Sequence, residues 1–240
     1  MNIMDTKQIS RAFRIDIYKI LAYGSGKGIG SGSIWFLMAL PMLFAIVARL
    51  GRNNGLISPM SGGVTGLLVA ISGMMGILVF SYEDQTGSGK LNGPLPVSRM
   101  NQVIGRYAFT LFAVAIAALL QVICGLVIYM PYKMNAVSGL TATVLVAGIV
   151  YASLTLPLGY RFPAAKATGF AFIVLFVIAA IITVTGFALP DSVIDNVKRF
   201  VMDAKLGPIP WIAIIGIIVA AVMFFFSCRL SMHIYERKDL

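Results

Sequence analysis

Six apolar runs, at 31–49, 58–80, 107–130, 139–159, 168–189 and 209–230, divide the chain, with short polar segments between them. Each approaches the ~20 residues that a helix needs to cross a ~30 Å hydrocarbon core. The first has the shortest apolar middle, Ile34 to Val47, and the others are too long to read as buried helices of a soluble domain. None alternates with period two, which points to helices and not to a barrel. Composition agrees. The 240 residues are 59% hydrophobic and 12% charged, whereas a soluble domain carries about a quarter of its residues as charges. The fold class predicted is an all-α membrane protein, one transmembrane domain over 1–240 with six transmembrane helices.

The 19 Lys and Arg outnumber nine Asp and Glu, for a net charge of +10. In a soluble protein that excess would suggest nucleic acid. Here the basic residues flank apolar runs, where they set topology and meet anionic headgroups. With the N-terminus inside, thirteen of the 19 fall on inner segments, and six (Arg49, Arg52, Lys133, Lys198, Arg199 and Lys205) on outer ones. Both termini are therefore predicted to be cytoplasmic. Cys124 and Cys228 lie inside apolar runs with no CxxC, and His233 has no second ligand nearby, so neither a disulfide framework nor a metal site is expected.

The segment 1–30 reads as an interfacial helix and a linker. From Asp5 to Tyr23, the residues Ile9, Phe13, Ile17, Ile20 and Leu21 form an apolar stripe, while Lys7, Arg11, Arg14 and Lys19 are mostly off it. Such a helix lies in the interface on anionic lipid, or packs on the protein, or both. Asp16 sits on or near the apolar stripe and is a candidate partner for a basic residue of the 81–107 stretch. The segment is not expected to be a cleavable signal peptide, because the first apolar run begins only around Ile34 and no small-residue cleavage site ends it. Two glycine-rich stretches imitate a phosphate loop. In the first, Lys27 is followed by Gly28, and in the second, Lys90 is followed by Leu91. A phosphate loop requires Ser or Thr there, and a strand before it, so both read as linkers.

Within the second run, Gly62, Gly66, Ala70 and Gly73 make a small-residue face for helix packing or a pore. In the third, Gln121 is the most polar side chain near mid-membrane, fit for an interhelical hydrogen bond or for substrate. Between the last two runs, 190–208 is predicted to hold an extracellular amphipathic helix, capped by Asp191 or Ser192 and stopped by Gly207-Pro208. No Asp, Glu, Lys, Arg or His lies in the interior of any run. Secondary transporters keep ionisable groups at membrane depth, and an intramembrane hydrolase needs a nucleophile with its base or a metal. This chain is therefore not expected to be an enzyme, and free energy for transport would come from another chain.

The stretch from Ser81 to Tyr107, SYEDQTGSGKLNGPLPVSRMNQVIGRY, links the second and third runs. It carries the acidic pair Glu83 and Asp84, a Gly/Ser segment, and a helix start in which Ser98 caps and Pro96 precedes the first turn. Met100, Val103, Ile104 and Tyr107 recur at helical spacing, while Asn101, Gln102 and Arg106 face elsewhere. The run YED, then LPVSR, then a tyrosine resembles the loop after the second membrane helix of ABC-2 type permeases, in particular the small six-helix permeases of bacitracin and antimicrobial-peptide exporters. Ile234 to Asp239 is similar to that family's endings. The likeness covers the whole chain in layout and these two patches in residues, and it departs from the family at Gly87 to Pro94, where members more often carry bulky residues.

The resemblance implies a permease subunit of an ABC exporter in the bacterial cytoplasmic membrane. It implies two copies of an ATPase subunit that alone bind ATP and Mg, and a second, identical or different permease chain, with the first and fifth spans at the dimer interface. It makes 81–106 the cytoplasmic coupling loop, with Glu83, Asp84, Pro96, Ser98 and Arg99 as the residues that meet the ATPase. A pore lined by apolar and hydroxyl groups suits a peptide antibiotic or lipid-like cargo. The alternative is a membrane scaffold or immunity protein that binds a membrane-active peptide without transport. A scaffold has no need for a rigid LPVSR-type helix start.

Overall fold

Helices occupy all six apolar runs, and a seventh precedes them. The structure is a computed structural model that describes residues 6–25, 33–51, 57–87, 97–129, 134–188, 205–206 and 209–237. Among the described residues the helices are α1 (Thr6–Ser25), α2 (Ser33–Leu50), α3 (Ile57–Thr86), α4 (Arg99–Tyr129), α5 (Met134–Arg161), α6 (Ala164–Ala188) and α7 (Trp211–Glu236). Among the described residues, four stretches are long and apolar enough to cross a membrane: Met60–Thr86, Arg99–Tyr129, Ala136–Arg161 and Ile214–Glu236. The apolar stretches Ala39–Leu50 of α2 and Ala164–Val174 of α6 are shorter.

Two expected boundaries change. The second run was expected to leave helix at residue 80, but α3 continues to Thr86 and stops where Gly87 takes a φ of 66°. That left-handed conformation suits glycine and ends helices. Glu83 and Asp84 therefore stand on the last turns of α3 and not in a loop. Of the rest of the expected loop, 88–96, Pro96 included, lie outside the described residues. The helix expected within 190–208 also lies outside them, apart from 205–206, which are strand and not helix. There β1 (Lys205–Leu206) pairs antiparallel with β2 (Ile209–Pro210), Leu206 opposite Ile209, just ahead of α7.

The bundle is organised around α5, which packs on α3, α4 and α7, with α6 against α3 and α5 and with α2 against α3 and α4. One core cluster joins Ala45 and Ala48 of α2, Val64 and Leu68 of α3, Ala117 and Cys124 of α4, and Val144 of α5. A second, at the opposite end, joins Phe80, Val103, Tyr107, Leu156, Tyr160 and Tyr235. α1 runs alongside α4 and α3 instead of standing free, with Ile20 packed among Met75, Val79 and Phe109.

Pro157 lies inside α5 and has no N–H to offer the carbonyl four residues earlier, that of Ser153. In a membrane helix such a carbonyl must find another donor. Ser227 of α7 supplies it, its hydroxyl 2.6 Å from the Ser153 oxygen. The Tyr107 hydroxyl in turn shares hydrogen bonds with Ser227 (2.7 Å) and Ser231 (2.8 Å). The carbonyl freed by the proline thus adds a hydrogen-bonded tie from α5 through Ser227 of α7 to Tyr107 of α4. Ser227→Ala should cost about 1–3 kcal/mol through the orphaned carbonyl. Pro157→Ala in the same chain should recover most of it, because the new N–H closes the bond within α5. Thermal unfolding in detergent of the two single variants and the double variant checks this, and equal losses in the single and double serine variants would contradict it.

Candidate functional site

Among the described residues the buried charges meet where α1 crosses α3 and α4. Gly105 makes the crossing close: a Cβ there would stand 2.5 Å from the Ala12 Cβ and 3.1 Å from the Phe13 backbone nitrogen. One residue on, Arg106 is 6% exposed and lies between two carboxylates. Its Nε and Nη2 donate to Asp16 Oδ2 and Oδ1, both at 3.3 Å, and its Nη2 and Nη1 donate to Glu83 Oε1 and Oε2 at 2.5 and 3.4 Å. Lys19 Nζ reaches Glu83 Oε1 at 2.5 Å and Asp16 Oδ1 at 3.9 Å. Two cations and two anions thus close a neutral cluster that fastens three helices. The Phe80 ring lies 4.2 Å below the guanidinium, with Tyr160 edge-on to it at 4.8 Å and Tyr235 against Tyr160 at 5.3 Å.

Burial pushes the Asp16 carboxyl above its ordinary value, against the pull of the Arg106 guanidinium and the Lys19 ammonium. At Asp16 desolvation therefore outweighs what the pairing yields, as it can for buried ion pairs generally. The cluster gains register more than stability. Only one seating of α1 brings a carboxylate to each side of Arg106, and that seating turns Ala12, Asp16 and Ile20 inward. Leu21, expected on the packed stripe, is left 50% exposed.

A second set of bonds ties this end together. Ser98 Oγ accepts from the Asn101 N–H at 3.3 Å, capping α4. Gln8 of α1 accepts from the Ser98 N–H and from Asn101 Nδ2, both at 3.0 Å. Asp84 Oδ2 accepts from the Ala164 N–H at 2.7 Å and so caps α6. Arg99 donates to the Glu236 carbonyl at 3.4 Å, at the end of α7, and Tyr235 donates to Gln102 Oε1 at 3.0 Å.

Of the residues singled out by sequence, Asp84 and Ser98 are exposed at this end and Arg99 is half-buried. Glu83 is not exposed. At 6% accessibility it is enclosed by Arg106 and Lys19, because α3 carries it one turn past the membrane run into the shadow of α1. Gln121 is fully buried in α4, where Oε1 accepts from the Thr65 hydroxyl of α3 at 3.4 Å and Nε2 has no partner. Gly73 lies directly under the Tyr151 ring of α5, whereas Gly62 and Gly66 are exposed with open space beside them. These three glycines thus share a face but not an environment. Asp16 does pair with a base of the 81–107 stretch, Arg106.

The sequence pattern put Arg106 on the polar side of its turn and Lys19 off the apolar stripe, held Tyr235 only as part of the terminal patch, and gave no sign of Gln8, Gly105 or Tyr160. The usable signal was Asp16: a carboxylate on an apolar helix face has to be answered by a buried cation.

Long apolar helices packed around α5, with the buried charges of the described residues gathered at one end, define a multi-pass helical membrane protein. The family model described as ABC-2 family transporter protein matches residues 29–236. The chain belongs to that family and is a membrane permease component of an ABC transporter, a part that is not itself catalytic. No curated protein matches the chain.

Proposed function

We propose that this chain is the permease subunit of an exporter in the bacterial cytoplasmic membrane, with six spans and both termini in the cytoplasm. Two permease chains, identical or not, form the path, and two ATPase subunits bind ATP and Mg and drive it. The cargo is amphipathic or hydrophobic, a peptide antibiotic or a lipid-like molecule. The observation that carries this reading is the Arg106 cluster. It binds α1, α3 and α4 into one body immediately behind the connection from Gly87 to Ser98. A push on that connection moves three helices at once, and Asp84 and Arg99 extend the movement to α6 and α7.

In this reading Asp84, Pro96, Ser98 and Arg99 meet the ATPase, and Glu83 is a positioning residue that acts through Arg106. The open face at Gly62 and Gly66, with Gln121 behind it through Thr65, is where the path or a second helix approaches α3.

The test is purification of the tagged chain from cells that also express a phosphate-loop ATPase encoded beside it, if the neighbouring gene encodes one. The ATPase should co-purify, and Asp84→Asn with Arg99→Gln should weaken its binding about tenfold, since truncated charge contacts at an interface cost of that order. The thermal midpoint should hold, because Asn keeps an acceptor for α6. An ATPase that never accompanies the chain, or binding and transport untouched by the double change, would favour a scaffold or immunity protein.

A further inference from the structure

We infer that the outward face of α1 is a binding surface for an anionic phospholipid, seated with its headgroup near Arg11 and Arg14 and its chains toward Leu21. The inference rests on the membrane assignment and not on coupling to an ATPase.

The residues Lys7, Arg11, Arg14, Tyr18 and Leu21 recur every three or four positions and fall within one narrow stripe of the helix. All five are exposed, Tyr18 at 68% and Leu21 at 50%, and the stripe lies diametrically opposite the inward residues Ala12, Asp16 and Ile20. Seating α1 through Arg106 therefore fixes what the outer face displays, and that face is graded along its length. Its beginning stands beside the capped start of α4, where Gln8 meets Ser98. Its far half stands beside the apolar part of α4, where Ile20 packs in one cluster with Phe109.

Three cations thus precede an aromatic hydroxyl and then a leucine over about 21 Å, at 1.5 Å per residue. On α4, Phe112, whose ring meets Phe13, is itself 48% exposed. The complementary molecule is anionic at one end and apolar at the other, which describes a phospholipid standing beside the bundle. Tyrosine at the boundary and basic side chains reaching the headgroups match the usual preferences of such side chains at a membrane interface. Exposed Arg161, Lys166 and Arg229 carry further positive charge at the same end of the bundle.

The full chain can be tested in vesicles without any ATPase. Tyr18→Trp, in a chain with Trp35 and Trp211 replaced by phenylalanine, gives a single reporter at the boundary. Phosphatidylglycerol with brominated acyl chains is placed at a low mole fraction in phosphatidylcholine, and brominated phosphatidylcholine at the same fraction serves as the comparison. The reporter should be quenched by the brominated anionic lipid as if that lipid were enriched about fivefold for each nearby cation. Arg11→Gln with Arg14→Gln, both exposed and clear of the packed face, should reduce the enrichment toward one. So should raising the salt from about 0.05 to 0.5 M. Equal quenching by the two lipids, or a preference indifferent to the arginines, overturns the proposal. Quenching by neither lipid overturns it too, and leaves a face turned to water or to an acidic protein.

Discussion

Arg106→Gln should lower the stability of the bundle by about 3–5 kcal/mol, the cost of stranding buried charges when one partner of an ion pair is removed. Both Asp16 and Glu83 depend on it for two hydrogen bonds each, and Lys19 alone cannot serve both carboxylates, since it stands 3.9 Å from Asp16. The informative companion replaces Arg106 by Met together with Asp16→Leu and Glu83→Met. Of the four charges only Lys19 then remains, and it can extend along the surface. Stability should return to within about 1–2 kcal/mol of the parent, because apolar replacement of a whole buried cluster is often neutral or better. Unfolding in detergent measures both variants.

On the coupling role proposed above, the apolar triple variant should still fail to link nucleotide hydrolysis to transport, having lost the register of α1. Full coupling in a stable triple variant would make the cluster structural only. A triple variant no more stable than Arg106→Gln would show that the ion pairs themselves are needed for packing.

Gly73→Val should separate α3 from α5. The Tyr151 ring occupies the place a side chain would take, so the ring must move or the helices must part. Overpacking of this kind costs about 1–3 kcal/mol, and a β-branched residue against a ring that is itself only 3% exposed belongs at the upper end. Adding Tyr151→Ala should return part of the loss by opening the space. Tyr151→Phe alone should be neutral or slightly stabilising, because the tyrosine hydroxyl is buried and has no partner. Gly62→Val, in open space on the same helix, should leave the unfolding midpoint of the single chain unchanged. If Gly62→Val and Gly73→Val cost the same, the loss comes from helix propensity in general and not from the Tyr151 seat.

Much of this protein was legible in one dimension because lipid imposes a single strong rule. A helix that crosses hydrocarbon must be apolar over its length, so the six runs, the capped start at Ser98 and the family resemblance could be read from residue order. So could the separation of charge from the runs. Such signals are local: each depends on residues within a few turns of one another, and no fold is required to see them.

The way α1 is used could not be read in this manner. Its apolar stripe suited lipid or protein equally well, and only the meeting of Asp16, Glu83 and Arg106, from three separate helices, decided for protein and turned the basic stripe outward. The same holds for Glu83, exposed by pattern and enclosed in fact. It holds also for Ser227, whose purpose is set by a proline seventy residues away. Burial of a charge or release of a carbonyl creates a demand that any suitable side chain can meet, and which one meets it depends on how the helices pack, a matter of distance in space that residue order does not contain.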